Sequence, residues 1–251
     1  TNWGVKDNSS GQSWYDSLLS QYADWGVDLT KVDCISSHPY TADEIRMIRK
    51  AIDKATAPTG RPIVLSLSPG PTSLDNAAEV GQLAQMWRIS DDHWDVWSSD
   101  PNKNFPQTLS NQFARTAAWA EYAKPGNWND ADFIIGGDPG MSMAETRSQL
   151  ALWSMMSAPL ILSSDVGKLS PQAIAVLGNK AVLAVDQDAL GRMATLVRRS
   201  PVMDILFKPL SSGDYAVAVL NRSAAPIQTE LHPADFGFAA AKSEAKRSRN
   251  Q

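Results

Sequence analysis

The feature that most restricts the fold of this chain is a regular alternation of helix-like and strand-like segments between residue 12 and about residue 190. The helical segments carry apolar residues at spacings of three and four, and the segments between them are short and apolar. This alternation is typical of a parallel sheet, because parallel strands need a crossover connection that is usually a helix. It predicts an α/β fold, the (β/α)8 or TIM barrel. We count five strand segments, at residues 29–34, 61–68, 86–90, 133–137 and 159–165.

The strand segments run into polar or acidic residues at their carboxyl ends. Asp33, Ser68, Asp92 and Asp165 occupy these positions. In a (β/α)8 barrel the carboxyl ends of all strands share one rim, and active sites lie at that rim. Carboxylates that are far apart in sequence are therefore expected to converge at one site.

The strand at residues 29–34 has an unusual charge pattern. Alternation places Lys31 and Asp33 on one face, with Val32 and Cys34 on the other. Burying a cation and an acid inside a core strand is costly unless the charges are paired or used. From this segment alone, a functional pair and a solvated edge strand are equally good interpretations.

Local signals mark where three helices begin. In the segments 41–44 and 142–145, a hydroxyl residue is followed three residues later by Glu, which is the pattern of a capping box. Ser170 precedes Pro171, an N-cap followed by proline at the first helical position. We therefore predict helices that start after Thr41, Ser142 and Ser170.

Composition and charge argue against several classes of function. The chain of 251 residues is 43% hydrophobic with a formal net charge of −4, which suits a soluble globular protein of one or two domains. No window reaches the roughly 18 consecutive apolar residues that membrane insertion needs, and no basic cluster outside the last residues indicates a nucleic-acid partner. The single cysteine, Cys34, excludes an internal disulfide. His38 and His93 lack spaced partners for a metal site, so we expect them in a loop or at the rim and predict no metal.

The pattern changes after about Gly191. We predict a partial catalytic barrel over residues 1–191 and a partial antiparallel β domain over residues 192–238, where a hairpin indicates a small β-sandwich. Residues 239–251 are rich in Ala, Lys, Arg and Ser without apolar periodicity. We interpret them as a disordered or truncated tail.

Five motifs follow one another along the chain: DWGVDLTKVDC (24–34), WRISDD (87–92), WNDAD (128–132), LWSMMSAPL (152–160) and DQDALG (186–191). Together they resemble, in sequence and in order, the motifs of the melibiase-type α-galactosidases, family 27 of the glycoside hydrolases. The agreement in order covers roughly residues 14–222, which makes the combination far more specific than any single motif. The resemblance implies a TIM barrel followed by an antiparallel β domain. It also implies a retaining exo-glycosidase that acts on terminal α-galactosyl residues.

The resemblance also implies a role for individual residues. Asp33 matches the family's carboxylate nucleophile, and Asp92, four residues after a sugar-binding arginine, matches its acid/base. Asp91 is the neighbouring rival for that second role. Lys31, Arg88 and Asp132 match the family's sugar-binding residues. Ser68 and Trp87 complete our candidate substrate-binding residues, although for Trp87 we favour a plain core position over a sugar platform.

This chemistry constrains the two carboxyl groups. Retaining hydrolysis needs them about 5–5.5 Å apart, one ionised and nucleophilic and the other protonated. Lys31 and Arg88 would favour the ionised form of Asp33, and that anion would favour a protonated Asp92. A structural ion-pair network at the barrel rim is the alternative interpretation.

The resemblance further implies a galactose-containing oligosaccharide or polysaccharide as substrate, without a cofactor. Related enzymes are commonly secreted, periplasmic or lysosomal, so we expect a secreted or periplasmic location.

Two departures from the family pattern affect these expectations. The family's first three barrel strands have no counterpart here, and five strands found plus three missing make eight, so the chain looks like a fragment that begins just before strand four. In addition, Ser68-Pro69 stands where α-galactosidases carry a Cys-Glu-Trp tripeptide whose glutamate contacts the 2-hydroxyl. The α-N-acetylgalactosaminidases of the family also have a serine at that point. The identity of the substrate around C2 is therefore open.

Three alternatives to an α-galactosidase remain. A β-L-arabinopyranosidase is the first, because its sugar is α-galactose without the C6 hydroxymethyl group. A lysine-based aldolase that uses Lys31 is disfavoured, because Asp33 would keep the lysine charged. The third is a non-catalytic fragment that is inactive by itself.

Overall fold

The computed structural model describes residues 4–98, 105–137 and 140–237. Within these ranges a four-stranded parallel sheet with helices is followed by a three-stranded antiparallel sheet. No helix in the same ranges is long and apolar enough to cross a membrane. The predicted tail at 239–251 lies outside the described residues. The elements are α1 (Ser9–Asp24), β1 (Leu29–Val32), α2 (Ala42–Thr56), β2 (Val64–Leu67), α3 (Ala77–Leu83), β3 (Met86–Arg88), α4 (Gln112–Thr116), β4 (Trp128–Asp130), α5 (Met143–Met156), α6 (Pro171–Leu177), α7 (Lys180–Asp186), β5 (Thr195–Arg199), β6 (Met203–Pro209) and β7 (Tyr215–Asn221).

The parallel sheet has the order β1-β2-β3-β4, so strands that are consecutive in sequence are neighbours in space. The predicted strand at 133–137 is wrong in its position, because β4 ends at Asp130 and the backbone of Asp132 turns away with φ of +78°. The predicted strand at 159–165 is reduced to a single parallel bridge between Leu162 and Ile134. The mixed α/β class and the order of the segments agree with the prediction.

The predicted helix starts are confirmed at Ser142, which forms a capping box, and at Ser170. The capping box predicted for Thr41 is wrong, because the Thr41 side chain makes no capping hydrogen bond. Glu44 instead accepts hydrogen bonds from the Val5 amide at 3.1 Å and the Tyr15 hydroxyl at 2.5 Å. A tertiary contact between α2, α1 and the preceding segment therefore replaces the local cap.

A first hydrophobic core lies between the parallel sheet and helices α1, α2 and α3. Ile45, Ile48 and Ile52 recur every three or four residues along α2, and all three are buried in one cluster with Leu65 and Leu67 of β2. Burying each such side chain contributes about 1.5–3 kcal/mol of hydrophobic stabilisation. This packing fixes the strands whose carboxyl ends carry the charged residues.

A second core joins α5 to the antiparallel sheet, with Trp153 and Met156 in one cluster with Leu206 and Leu220. The opposite face of that sheet is more open, and its Val217 and Val219 are exposed. The described residues supply one layer of the predicted sandwich. The predicted domain boundary at residue 191 stays a prediction.

Lys208 of β6 is fully buried and links the antiparallel sheet to two helices. Its Nζ donates hydrogen bonds of 2.7 Å to the carbonyl oxygens of Ser154 and Val185 and to the hydroxyl of Ser157. Ser154 and Val185 lie in the last turns of α5 and α7, where carbonyls lack intrahelical donors and the helix dipole favours a cation. Burial lowers the pKa of the Lys208 ammonium to about 8, and Asp186 partly opposes that shift.

We predict that Lys208→Met lowers the free energy of unfolding by about 2–4 kcal/mol, because it leaves three buried acceptors without their donor. Urea denaturation of the purified protein, followed by tryptophan fluorescence, measures the change. Lys168→Met is the matched control, since the Lys168 side chain is 84% exposed and its pair with Asp165 lies at the surface. The control should stay within about 0.5 kcal/mol of the unsubstituted protein. Equal losses in the two variants would contradict the prediction.

Candidate active site

An open cavity of about 480 Å³ lies at the carboxyl ends of the four parallel strands. Lys31 comes from β1 and Arg88 from β3, and the other lining residues follow the strand ends. Six of the seven residues predicted from the sequence line this cavity, and Trp87 does not. The lining consists of Lys31, Asp33, Ser68, Arg88, Asp92, His93, Trp94, Asp132 and Phe133.

A second cavity of about 420 Å³ lies at the amino ends of the same strands. Asp186 and Asp188 are its acidic residues, and its described lining includes no lysine or arginine. Burial raises the pKa of the Asp186 carboxyl to about 6. Active sites of barrel enzymes lie at the opposite, carboxyl face, so we take the cavity with the mixed charges as the candidate site.

The buried guanidinium of Arg88 is the centre of the site. Its Nη1 lies 3.1 Å from Oδ1 of Asp92, and its Nη2 lies 3.1 Å from Oδ2 of Asp132. Nη2 also donates a hydrogen bond of 3.1 Å to the carbonyl oxygen of Ser90. The Arg88 side chain is 3% exposed, whereas that of Asp92 is 50% exposed. Asp92 is therefore anchored by a buried cation and open to the cavity at the same time.

The loop after β2 packs directly on the end of β3. A Cβ atom built on Gly70 would lie 1.9 Å from the Ser90 carbonyl oxygen and 3.0 Å from Cβ of Arg88. Only glycine allows this close approach of two backbones. The Pro69-Gly70-Pro71 segment thus holds the neighbouring Ser68 against the strand that carries Arg88.

Asp132 is fixed through both its backbone and its side chain. Its amide donates to Oδ1 of Asp130 at 2.8 Å, and its carbonyl accepts from Nε1 of Trp153 at 2.7 Å. Its Oδ2 accepts from the His93 amide at 3.1 Å. Burial raises the pKa of Asp132, but the neighbouring His93 side chain and the charge of Arg88 outweigh burial and hold that pKa below its ordinary value. The Asp132 carboxylate is therefore ionised.

Lys31 and Asp33 both face the cavity and are exposed. Nζ of Lys31 lies 4.6 Å from the centre of the Phe133 ring, in a cation–π contact. Val32, between the two charged residues, packs against the first hydrophobic core. The predicted alternation therefore holds within β1, which ends at Val32, two residues before the end of the predicted strand. Cys34 lies beyond the strand, is exposed and has φ of +64°, so its predicted placement on the opposite face of the strand is wrong.

Ser68 lines the cavity, and its position is set by the backbone. Its carbonyl oxygen accepts hydrogen bonds of 3.2 Å from the amides of Ile35 and Ser36, and its residue exposure is 5%. Asp91, the rival of Asp92, is not part of the cavity lining. The structure thus favours Asp92 over Asp91 as the residue that meets a bound molecule.

The prediction that Trp87 binds substrate is wrong in its placement. The side chain is fully buried in the first core, where its ring centre lies 6.0 Å from that of Trp119. Arg88 faces the cavity, so the alternation along β3 directs Trp87 to the opposite, helix-covered side. Trp87 is therefore a core residue.

The sequence reasoning missed three residues that line the cavity, His93, Trp94 and Phe133. Trp94 is 54% exposed, and Phe105 packs against it edge to face at 5.6 Å between ring centres. His93, which we expected in a loop or at the rim, is buried. Adjacency to Asp92 was the available signal for His93 and Trp94.

Asp130 is a buried neighbour of the site outside the cavity lining. Burial raises the pKa of its carboxyl, while the charges of Arg88 and Lys31 oppose that shift. Because its Oδ1 accepts the Asp132 amide, Asp130 serves the turn after β4. The site as a whole places three carboxyl groups, those of Asp33, Asp92 and Asp132, and two cations, Lys31 and Arg88, around one cavity.

Comparison with known proteins places these residues in a family. The family model described as alpha galactosidase A matches residues 8–188 of the chain. Human alpha-galactosidase A is 35% identical over 215 residues, which are 83% of this chain and 48% of that protein. Chicken alpha-N-acetylgalactosaminidase is 32% identical over 225 residues, 86% of this chain and 53% of that protein. The chain thus spans about half the length of these curated relatives.

Solved structures agree with the sequence relatives. A family 27 β-L-arabinopyranosidase variant from Geobacillus stearothermophilus, in complex with arabinose, superposes with a TM-score of 0.80 at 33% identity, covering 91% of this chain and 54% of that one. A putative alpha-galactosidase/melibiase from Bacteroides fragilis gives a TM-score of 0.77 at 30% identity, covering 88% of this chain and 49% of that one. The chain therefore belongs to the alpha-galactosidase A family, family 27 of the glycoside hydrolases.

Proposed function

We propose that this chain carries the catalytic aspartates of a retaining exo-glycosidase that removes terminal α-galactosyl residues. The observation that carries the proposal is the buried Arg88, which holds Asp92 and Asp132 at the cavity that Lys31 and Asp33 also line. Family membership supplies the reaction class. The substrate is a galactose-containing oligosaccharide or polysaccharide, and the reaction uses no cofactor.

The proposed reaction is a double displacement. In the first step the carboxylate of Asp33 attacks the anomeric carbon, the glycosidic bond breaks, and the protonated Asp92 gives its proton to the departing oxygen. In the second step Asp92 takes a proton from water, the water oxygen bonds to the anomeric carbon, and Asp33 leaves. Lys31, Arg88 and Asp132 contact the sugar in this proposal, Ser68 faces the C2 substituent across a space, and Arg88 also holds Asp92 in place.

The contacts support different roles for the two catalytic aspartates. Asp92 is oriented by Nη1 of Arg88 at 3.1 Å, while half of its side-chain surface stays open to the cavity. Asp33 follows the end of β1, is exposed, and shares the cavity with Lys31. An acid that must reach a leaving group needs such an open and oriented placement.

We also propose that the full-length protein closes the parallel strands into an eight-stranded barrel. β1 pairs with β2, and among the described residues no strand pairs with its other edge. Leu29 on that strand is 46% exposed. Sheet edges of this kind are normally covered or paired. Similarly, the open face with Val217 and Val219 supports a second sheet and hence the sandwich.

A second candidate is a β-L-arabinopyranosidase. The structural neighbour with that activity supports it, and its sugar matches α-galactose except for the missing C6 hydroxymethyl group. A third sugar, the α-N-acetylgalactosaminide, is suggested by Ser68 and by the chicken relative. We rank α-galactoside first, β-L-arabinopyranoside second and α-N-acetylgalactosaminide third.

We predict that Asp92→Ala in the full-length protein slows aryl α-galactosides with poor leaving groups far more than those with good ones. The reason is that only a poor leaving group needs the proton that Asp92 donates. The measurement is kcat/KM across a series of aryl galactosides. For good leaving groups, added azide should restore turnover, because it attacks the anomeric carbon without needing a base, displaces Asp33 and forms a galactosyl azide. Asp91→Ala is the matched control and should show little dependence on the leaving group. The reverse pattern, with the dependence in Asp91→Ala, would exclude Asp92 as the acid/base.

A comparison of three aryl glycosides tests the order of the candidate substrates. Because serine is shorter than glutamate, Ser68 cannot reach a 2-hydroxyl as the family's glutamate does, which leaves space at C2. We expect kcat/KM to be highest for the α-galactoside, then the β-L-arabinopyranoside and then the acetamido sugar. A preference for the acetamido sugar by more than about tenfold, roughly 1.4 kcal/mol of transition-state binding, would reverse the ranking.

A further inference from the structure

His93 is a buried histidine in a site that also holds three aspartates and two cations. It lies between Asp92 and Trp94 in the cavity lining, and its exposure is 4%. Its side chain contacts Gln149 on one side and Asp132 on the other. A buried imidazole of this kind needs a partner for each ring nitrogen.

The amide of Gln149 determines which ring nitrogen carries the proton. Its Oε1 accepts a hydrogen bond of 3.1 Å from the Ile135 amide, and its Nε2 donates one of 3.2 Å to the Phe133 carbonyl. These two bonds fix the orientation of the amide, so its nitrogen faces Nε2 of His93 at 2.9 Å. Two nitrogens at that distance can form a hydrogen bond only if one of them accepts. Nε2 of His93 is therefore the acceptor, and the proton of the neutral ring sits on Nδ1.

The proton on Nδ1 is directed at Asp132. Nδ1 lies 3.4 Å from Oδ2 of Asp132, which is long for a hydrogen bond and corresponds to a charge–dipole contact. Among the described residues Nδ1 has no hydrogen-bond partner, and an unpaired buried donor is unfavourable. Catalytic contacts that are long in a free enzyme commonly tighten when the substrate binds.

The same oxygen receives three groups that converge on it. Oδ2 of Asp132 accepts the His93 amide at 3.1 Å and Nη2 of Arg88 at 3.1 Å, in addition to its contact with Nδ1. The His93 ring packs edge to face on Trp153, 5.1 Å between ring centres, and Trp153 donates to the Asp132 carbonyl. His93 and Trp153 thus support Asp132 from two sides. Arg88 contacts Asp132 through Nη2 and Asp92 through Nη1, so the position of Asp132 affects the position of Asp92.

We propose that His93 is a positioning residue for glycoside cleavage, which acts by holding the Asp132 carboxylate through Nδ1–H and its backbone amide. The proposal rests on the proposed function. In this role His93 acts through Asp132, which Arg88 links to Asp92. The alternative is a histidine that only packs in the core and pairs with Gln149.

Two substitutions in the full-length protein separate these roles, because each keeps one polar end of the ring. In His93→Asn, the shorter side chain can place an amide N–H where Nδ1 lies. In His93→Gln, the longer one can place an amide oxygen where Nε2 lies, toward Gln149. Both lose the ring contact with Trp153, so a loss of packing alone affects the two variants alike.

We expect His93→Gln to raise the KM of the preferred aryl glycoside and to lower kcat/KM about ten- to a hundredfold, since small misplacements at a reacting site are this costly. His93→Asn should retain kcat/KM within about threefold of the unsubstituted enzyme. The melting temperatures of the two variants should be similar. Greater activity in Gln than in Asn, equal losses in both, or no loss in either would overturn the positioning role.

Crystal structures of the two variants give a readout that does not depend on turnover. The Asp132–Arg88 contact should persist near 3.1 Å in His93→Asn and be lost in His93→Gln, and an unchanged contact in both would overturn the proposal. If the unsubstituted protein cleaves none of the three aryl glycosides, the proposed function fails while the structural comparison still tests what His93 does to Asp132.

Discussion

The buried guanidinium of Arg88 is the interaction on which the arrangement of this site depends. A cation with 3% of its side chain exposed is tolerated only when charged or hydrogen-bonding partners surround it. Its partners come from different parts of the chain, Asp92 from the loop after β3 and the ionised Asp132 from the turn after β4. The parallel register that sets Arg88 beside Asp130 therefore also brings the two carboxyl groups to one guanidinium. Fold and site are joined at this point, because a shift of β4 along β3 would leave the arginine buried without Asp132.

Much of the site could be predicted from the sequence because strand geometry is regular. The period of two along β1 directs Lys31 and Asp33 to one face, and both line the cavity. The carboxyl ends of parallel strands meet at one edge, which brings Ser68, Arg88 and Asp132 to the same place. The order of the motifs then matches the strands of this chain to those of the family. These inferences use local periodicity and chain order, and neither requires knowledge of distant contacts.

What the sequence could not supply depends on contacts between distant residues. Glu44 fits a capping box locally, but Tyr15 and Val5 bind its carboxylate instead. The tautomer of His93 follows from Gln149, which is 56 positions away. The position of Trp87 did not depend on distant contacts. The alternation that directs Arg88 into the cavity already implies a core position for the neighbouring Trp87. The aromatic side chains Trp94 and Phe133 line the cavity, and both lie after strand ends, where no periodicity applies.

Attack of the Asp33 carboxylate on the anomeric carbon of the sugar is tested most directly by trapping the covalent intermediate. A galactosyl fluoride with a 2-fluoro substituent slows both steps of a retaining mechanism and leaves the sugar attached to the nucleophile. The full-length protein, treated with this reagent, digested and analysed by mass spectrometry, should carry the label on Asp33. The Asp33→Asn variant should remain unlabelled. A label on Asp91 or Asp130 would contradict the account.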